Sequence, residues 1–114
     1  MCGIAGVVGR RVTKDELEAA RRAISHRGPD ASGIFQEEDV ACIHTRLSVI
    51  DLSEAASQPM RDQVSGVTIV YNGECYNYRD LRSVLEKEGS SFLSHSDTEV
   101  ILKLYLRYGI SMVE

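Results

Sequence analysis

The chain opens with the stretch MCGIAGVVG, Met1 to Gly9, in which an apolar segment follows a residue type that can serve as a nucleophile. The run that begins at Gly3 is typical of a buried β-strand. Removal of the initiator Met1 would leave a thiol and a free α-amine together on Cys2. An N-terminal amine can act as the base that activates a nucleophile, so Cys2 is a candidate catalytic residue. The alternative is a small buried cysteine that opens the strand.

Composition describes one small domain. A chain of 114 residues has the length of a single domain and buries enough surface for a core. The formal net charge of −4 and the scattered Lys and Arg residues argue against nucleic acid as a partner. No apolar stretch approaches the roughly 20 residues that span a bilayer, and the N-terminus lacks the segments of a signal peptide.

The cysteines and histidines are few and widely spaced. Cys2, Cys42 and Cys75 form no CxxC pair, and an odd number at such spacing fits a reducing cytoplasm better than a disulfide framework. The three histidines are equally scattered, so we expect no zinc site. The sequence therefore predicts a cytoplasmic protein without a metal site.

A helix and a loop are expected after the first strand. Thr13, with Glu16 three residues later, resembles a capping box and predicts a helix that runs to about Ser25. The stretch HRGPDASG, His26 to Gly33, is punctuated by glycine and proline, which predicts a loop.

Strands alternate with turns in the middle of the chain. Two strands are expected at Ile34 to Gln36 and at Val40 to Thr45, joined by an acidic turn. The polar stretch from Ser53 to Gln63 predicts a long surface loop. The β-branched run from Gly66 to Tyr71 predicts a further strand that stops at Asn72-Gly73.

Two helices are expected in the last third of the chain. Asn77 is expected to cap a helix that runs to about Glu88. The run SDTE, Ser96 to Glu99, reads as a second capping box, and Gly109 ends the helix that follows it. That helix is apolar nearly all round, which predicts burial on more than one side.

A nucleophilic thiol that acts on an amide needs partners, and four short segments supply candidates. They are Cys2, HTRLSVID from His44, YNGECYNY from Tyr71 and SDTEV from Ser96. The oxyanion of a tetrahedral intermediate requires hydrogen-bond donors. The Asn72 side chain and the Gly73 N–H are suitable, because a glycine turn lets a substrate approach the backbone. In isolation, Asn72-Gly73 is typical of a hairpin turn.

Charged residues in the same segments suit a free amino acid as substrate. Its α-carboxylate needs a planar, permanently charged partner, for which Arg46 is the candidate. Its α-ammonium group needs an anion, for which Asp97 and Glu74 are available. With the thiol and the turn, these residues describe hydrolysis of glutamine. The structural alternatives are that Arg46 snorkels from a strand and that Asp97 serves the helix dipole.

Ordered motifs along the whole chain carry a family resemblance. They are MCGIAG, HRGPDASG, HTRLSVIDLS, SQPM, VYNGECYNYRDLR and SDTEVIL. With them the chain resembles the glutaminase domain of class II glutamine amidotransferases, the N-terminal-nucleophile group. The RGPD loop and the run LSVID after Arg46 are similar to the glutamine-hydrolysing asparagine synthetase branch.

The resemblance implies a role for each matching residue. Cys2 would be the nucleophile that forms a glutamyl thioester, and Asn72 and Gly73 would form the oxyanion hole. The implied substrate-binding residues are Arg46, Leu47, Val49, Glu74 and Asp97. Cys75 stands where the family usually carries an aliphatic residue, and we expect it to pack rather than to react.

The resemblance also implies an α+β fold, an N-terminal-nucleophile αββα sandwich in which two stacked, mainly antiparallel sheets lie between helices. We expect residues 1–114 to be the N-terminal part of a single glutaminase domain, so that the sandwich is incomplete in this chain. The SGGxDS-type loop of the ATP-dependent synthetase domain of full-length relatives does not occur in residues 1–114, so we expect that domain to be absent from this chain. ATP and magnesium would bind only there, and no cofactor is expected in this chain.

The implied activity is hydrolysis of glutamine to glutamate and ammonia, which the parent would use for ATP-dependent amidation of aspartate to asparagine. The expected partners are L-glutamine, the remainder of the glutaminase domain and the synthetase domain, with no nucleic acid and no membrane. Two alternatives stay open. One is an asparagine synthetase-like amidotransferase in antibiotic or surface-polysaccharide synthesis, and the other is a truncated, non-catalytic structural or interaction module.

Overall fold

A three-stranded antiparallel sheet carries the first half of the computed structural model, which describes residues 2–47 and 53–114. Its strands are β1 (Gly3–Val8), β2 (Ala31–Glu37) and β3 (Val40–Arg46), in the order β1-β3-β2. The central strand β3 places Thr45 opposite Gly3 and Arg46 opposite Ala31. The predicted strands are confirmed, and this register brings Cys2, which precedes β1, to the end of β3 that carries Arg46.

Helix α1 (Lys14–Ile24) packs against this sheet. The predicted capping box is confirmed, because the Glu16 N–H donates to Thr13 Oγ1 at 3.2 Å and the Thr13 N–H donates to the Glu16 carboxylate at 2.8 Å. These bonds satisfy donors that a helix start leaves unpaired. The core between helix and sheet consists of Val12, Leu17, Ala41 and Ile43. Full burial of a large aliphatic side chain stabilises a fold by about 1.5–3 kcal/mol.

The loop predicted from His26 to Gly33 is shorter in the structure. Residues Ser25–Arg27 form a 3₁₀ turn, and β2 begins at Ala31 rather than at Ile34. The reason is the sheet register, in which β2 pairs with β3 along the whole length of both strands. The glycine and proline signals therefore mark only the centre of the predicted loop.

A second, two-stranded antiparallel sheet is formed by β4 (Met60–Arg61) and β5 (Thr68–Ile69). The long surface loop predicted from Ser53 to Gln63 is wrong in part, because it contains β4 and a 3₁₀ turn, Glu54–Ala56. Ala56 and Met60 are both buried. Small and apolar residues within a polar stretch thus form part of the interior.

The strand predicted from Gly66 to Tyr71 is reduced to Thr68–Ile69. Beyond it, the Tyr71 N–H donates to Gln58 Oε1 at 2.6 Å instead of joining a strand ladder. A side chain thus replaces a neighbouring strand as the partner of this backbone group. Periodicity does not reveal such a bond, since the β-branched run is the same in either case.

Helix α2 spans Tyr78–Lys87 and begins where the sequence predicts. Asn77 occupies the N-cap position, but its side chain makes no capping hydrogen bond. Its Oδ1 instead accepts a weak bond from the Cys75 thiol, with a sulfur–oxygen distance of 3.4 Å. Asn77 therefore stands at the expected cap position without making a capping hydrogen bond.

Helix α3 spans Asp97–Tyr108, with Gly109 as its C-cap at φ 62°. Only half of the predicted capping box forms: the Glu99 N–H donates to Ser96 Oγ at 3.2 Å. The Glu99 carboxylate turns instead to the preceding loop, where it accepts from the N–H of Leu93 at 2.9 Å and of Ser94 at 2.7 Å. This carboxylate therefore holds the loop that leads into the helix.

Burial along α3 is uneven. The first turn and the apolar positions Val100 and Leu102 are buried. Farther along, Tyr105 is 45% exposed and Leu106 is 36% exposed, so burial on more than one side applies only to the first half of the helix. The closing 3₁₀ turn, Gly109–Val113, follows directly.

The second sheet contacts the first through the side chain of Arg61 in β4, which meets two residues of β2. The Arg61 guanidinium lies 5.6 Å from the centre of the Phe35 ring and 3.4 Å from the Glu37 carboxylate. Phe35 pairs with Cys42, whereas the neighbouring Ala41 belongs to the core under α1. Because side chains alternate across a sheet, this contact lies on the face opposite α1. The molecule is therefore a layered α+β structure, and helix α3 contacts β5.

No helix in the described ranges, 2–47 and 53–114, has the length and apolar character needed to cross a bilayer.

Candidate active site

One cavity of about 440 Å³ collects the predicted site residues. Those that line it are Cys2, Arg46, Leu47, Asn72, Gly73, Glu74 and Asp97. Val49, the remaining predicted site residue, lies outside the described part of the chain. The cavity is also lined by Ala56, Gln58, Tyr71, Tyr76, Ser96 and Thr98. Segments far apart in the sequence thus converge on one space, as the chemical interpretation requires.

The Cys2 thiol lies beside the backbone at the end of β3. The Leu47 N–H donates to Cys2 Sγ at 3.3 Å, and Sγ lies 3.5 Å from the Leu47 carbonyl oxygen. The thiol therefore lies against the backbone of the residue that follows Arg46. The Arg27 Nε–H donates to the Cys2 carbonyl oxygen at 3.1 Å, which fixes the backbone that carries the thiol.

Arg46 is the last residue of β3 and is only 8% exposed. Its Nη1 donates to the Ser53 carbonyl oxygen at 2.8 Å. The alternative of a snorkelling arginine is therefore wrong, because the charged group is held inside the protein. A buried guanidinium that lines a cavity is suited to a bidentate pair with a carboxylate.

The glycine of the RGPD motif supports this arginine. A Cβ on Gly28 would lie 2.3 Å from the Thr45 carbonyl carbon and 2.4 Å from the Arg46 nitrogen, so only glycine fits. The next turn is fixed by the Asp30 N–H, which donates to the Arg46 carbonyl oxygen at 3.0 Å. The motif is thus more than a surface turn, since it packs on the backbone that delivers Arg46.

Asn72 and Gly73 lie in an irregular segment between β5 and α2. The hairpin interpretation of this pair is wrong, because the segment leads to a helix and not to a paired strand. Asn72 is partly buried and Gly73 is exposed, and both line the cavity. This segment therefore brings an asparagine and a glycine to the wall of the same cavity.

Asp97 lies at the first position of α3 and is 6% exposed. Its Oδ2 accepts from the Cys75 N–H at 2.9 Å. This bond orients the carboxylate beside the Asn72-Gly73 segment. Burial first, and then the Asp97 charge, raise the pKa of the Cys75 thiol. Cys75 therefore favours its neutral form, which fits the expected packing role.

The remaining acidic residue of the predicted set, Glu74, is exposed at the cavity rim beside Tyr76. A hydrogen bond to Glu74 raises the pKa of Tyr76. Glu74 thus occupies a more open position than Asp97, so the two carboxylates differ in how firmly they are fixed.

Two side chains that the chemical interpretation did not include hold the backbone of Tyr71. Gln58 Oε1 accepts from the Tyr71 N–H at 2.6 Å, and His44 Nε2 lies 3.2 Å from the Tyr71 carbonyl oxygen. Donation to a carbonyl places the hydrogen on Nε2. The only signal for these residues was their presence in the motifs SQPM and HTRLSVIDLS, which assign no role.

The buried His44 predicts that the stability of the fold depends on pH. It is fully buried, and burial lowers its pKa. Below a pH of about 6.5, the unfolded chain therefore binds a proton that the folded chain resists. We expect the free energy of unfolding to fall as pH falls from 7 to 5, by up to about 1.4 kcal/mol per pH unit. Chemical unfolding at several pH values measures this slope.

The matched comparison replaces one histidine at a time. His44→Gln should flatten the pH dependence, whereas replacement of the exposed His26 by glutamine should leave it unchanged. If the free energy of unfolding changes with pH by the same amount in the native protein and in His44→Gln, the buried imidazole does not titrate as described.

Comparison with known proteins identifies the family. The profile of the glutamine amidotransferase domain matches residues 1–114. A putative glutamine-hydrolysing asparagine synthetase 2 of Methanocaldococcus jannaschii is 40% identical over 134 aligned positions that include 100% of this chain and 25% of the relative. Glutamine-hydrolysing asparagine synthetase 1 of Bacillus subtilis is 41% identical over 95% of this chain and 18% of the relative.

A third relative carries a different name. The amidase chry2 of Gibberella zeae is 41% identical over 87% of this chain and 15% of the relative. This chain thus spans a quarter or less of the length of these relatives.

The chain belongs to the glutamine amidotransferase domain family. Within that family, its similarity to the N-terminal portion of glutamine-hydrolysing asparagine synthetases confirms the resemblance carried by the motifs.

Proposed function

We propose that this chain hydrolyses glutamine to glutamate and ammonia through a glutamyl thioester on Cys2. The observation that supports this proposal most directly is the single cavity that joins the thiol, the Asn72-Gly73 segment, the buried Arg46 and the buried Asp97. A nucleophile, oxyanion donors and fixed charges of both signs are the groups that an amino-acid amide requires.

Binding would orient glutamine by its two charged groups. Arg46 pairs with the α-carboxylate, because its guanidinium is permanently charged and anchored by the Ser53 carbonyl oxygen. Asp97 accepts the α-ammonium group with a carboxylate that the Cys75 N–H already orients. Leu47, Val49 and Glu74 complete the proposed substrate-binding set. The carboxamide is then directed toward the thiol.

The reaction would follow in two steps. The thiolate of Cys2 attacks the carboxamide carbon, and the Asn72 side chain and the Gly73 N–H stabilise the oxyanion. The carbon–nitrogen bond breaks, ammonia leaves with the proton taken from the thiol, and a thioester remains. Water then cleaves the thioester, which releases glutamate and restores the thiol. The base in both steps is the α-amine that removal of Met1 exposes.

We further propose that a larger parent protein uses the ammonia to amidate the carboxylate of aspartate. The names and lengths of the asparagine synthetase relatives support this proposal. ATP and magnesium would bind in a synthetase domain outside residues 1–114. The order of α1, the two sheets and α3 supports the αββα sandwich that the family resemblance implies, of which this chain would form the N-terminal part.

The test is covalent trapping of Cys2 in the full-length protein with a glutamine-like diazoketone. We expect a single adduct on Cys2, protection by glutamine, and an intact mass that lacks one methionine. A Cys75→Ala variant, which keeps the backbone N–H bonded to Asp97, is the matched control and should be trapped equally. Trapping on Cys75, or full turnover with Met1 retained, would contradict the mechanism. Absence of any adduct would favour the non-catalytic module.

Asp97 gives a test of the ammonium site. Asp97→Asn keeps an oxygen that can accept from the Cys75 N–H but removes the charge. We expect KM for glutamine to rise about 10- to 100-fold, which is the scale of a hydrogen bond to a charged group. The stability loss should stay below about 1 kcal/mol, the scale of a helix-dipole contribution.

A thermal melt beside a substrate titration separates the two roles of Asp97. Replacement of Asp80 by asparagine, in the first turn of α2, is the matched control for the helix-dipole contribution. If Asp97→Asn lowers the melting temperature while KM stays unchanged, the residue serves only the helix.

A further inference from the structure

The backbone of Tyr71 is held on both sides by side chains from distant segments. Its N–H donates to Gln58 Oε1 at 2.6 Å, and its carbonyl oxygen lies 3.2 Å from His44 Nε2. Residues 70–72 belong to no helix or strand, so neither regular backbone pairing nor helix geometry fixes them. These side-chain bonds therefore support the Asn72-Gly73 segment on its N-terminal side, and the Cys75 N–H bond to Asp97 supports it on the other.

Gln58 also connects this segment to the start of α3. Its Nε2 donates to Thr98 Oγ1 at 3.1 Å, and Thr98 follows Asp97 at the start of α3. The Gln58 amide thus accepts a hydrogen bond from the residue before Asn72 and donates one to the residue after Asp97. Both Gln58 and Thr98 line the cavity.

The backbone of Gln58 is itself fixed against the first sheet. A Cβ on Gly33, in β2, would lie 2.2 Å from the Gln58 carbonyl oxygen, so the two segments are in direct backbone contact. Gln58 is consequently anchored on the sheet that also carries Arg46. Its side chain therefore holds Tyr71 and Thr98 at defined positions relative to that sheet.

We propose that Gln58 is a positioning residue that sets the Asn72-Gly73 segment relative to the start of α3. This inference depends on the proposed glutaminase activity, in which that segment supplies the oxyanion donors. Stabilisation of the oxyanion requires donors at a defined distance, and a misplacement of about 1 Å can lower a rate about 10²-fold. Asp97 keeps its own support from the Cys75 N–H, so loss of Gln58 acts chiefly on the oxyanion side.

The first experiment is steady-state kinetics of Gln58→Met in the full-length protein. Methionine has a similar length but lacks the amide, so it breaks the bonds to Tyr71 and Thr98. We expect kcat for glutamine hydrolysis to fall about 10- to 100-fold, with a much smaller change in KM. A rise in KM with kcat unchanged would overturn the proposal.

The matched control is Gln36→Met. Gln36 Nε2 donates to the Val12 carbonyl oxygen at 2.7 Å, so this variant also removes a bond between a glutamine side chain and the backbone, but outside the cavity. It should lower the melting temperature without lowering kcat. An equal loss of kcat in both variants would show a general effect of stability and would overturn the specific role of Gln58.

Thr98 tests the connection without altering Gln58. Thr98→Val removes the hydroxyl at nearly constant shape and should lower kcat, whereas Thr98→Ser keeps the hydroxyl and should retain it. In combination with Gln58→Met, the Thr98→Val change should have little further effect. Additive losses in the double variant would show that the two residues act independently and would overturn the proposed connection.

Trapping of Cys2 separates failure of this inference from failure of the proposed function. The glutamine-like diazoketone should modify Gln58→Met more slowly than the native protein, while iodoacetamide, which needs no oxyanion site, should modify both equally. If the native protein is trapped and Gln58→Met is trapped at the same rate, the positioning role is wrong and the activity stands. If the native protein is not trapped, the proposed function itself fails.

Discussion

Cys2→Ala should eliminate glutamine hydrolysis in the full-length protein, with kcat reduced on the order of 10⁶-fold, as expected when an amide-cleaving enzyme loses its nucleophile. The thiol is held by the Leu47 N–H at the wall of the cavity, and no other described cysteine lines that cavity. Alanine removes the sulfur and leaves the strand register unchanged. Any synthesis supplied with free ammonia should therefore continue at its normal rate.

The measurement is release of glutamate from glutamine, beside product formation from ammonium chloride. Cys42→Ala and Cys75→Ala are the matched controls, and both should retain glutaminase activity. Residual glutamine hydrolysis by Cys2→Ala within about tenfold of the native rate would contradict a covalent mechanism on this residue. Loss of the ammonia-dependent reaction as well would indicate a damaged fold.

Gly28→Ala should lower the free energy of unfolding by about 3 kcal/mol, at the upper end for an overpacked interior. The added methyl group would lie 2.3 to 2.4 Å from backbone atoms of Thr45 and Arg46. Backbone at the end of a central strand cannot yield as a flexible side chain can. The melting temperature should fall by about 10–20 °C, and binding of glutamine should weaken because Arg46 is displaced.

Gly6→Ala, in β1, is the matched control. Its added methyl group would lie 3.2 Å from the Ala41 carbonyl oxygen and 3.8 Å from Cys42 Sγ, which a small shift can accommodate. Its melting temperature should change by only a few degrees. If Gly28→Ala has the same melting temperature as the native protein, the close approach of the RGPD loop to β3 is incorrect.

The elements predicted correctly are those specified by neighbouring residues. The capping box at Thr13 and Glu16 formed because both partners lie within one helical turn. The strands of the first sheet were recognised because their apolar residues are continuous or alternate over several positions. Their pairing lies beyond such local patterns and became visible only in the structure.

The elements predicted incorrectly depend on contacts between distant residues. The strand expected up to Tyr71 ends at Ile69 because a glutamine side chain takes the place of a strand partner. Glu99 completes no capping box because the loop at Leu93 and Ser94 offers it three donors. Neither the end of the strand nor the incomplete capping box can be predicted from the spacing of residues within one segment.

The candidate site shows the same division. Chemistry and family resemblance selected Cys2, Arg46, Asn72 and Asp97, and the structure brings these residues to one cavity. Their catalytic and binding roles stay predictions. The sequence did not predict a role for Gln58, because a neutral amide in a polar stretch carries no distinctive signal of its own.

The cavity wall is assembled from the ends of β1 and β3, the Asn72-Gly73 segment and the start of α3. A substrate that contacts all of these parts can bind only while they are simultaneously folded. Such a substrate would raise the free energy of unfolding of the whole layered structure by about 2.7 kcal/mol at a concentration one hundred times Kd. Bound substrate would thereby make the partial opening that exposes a chain to proteases less frequent.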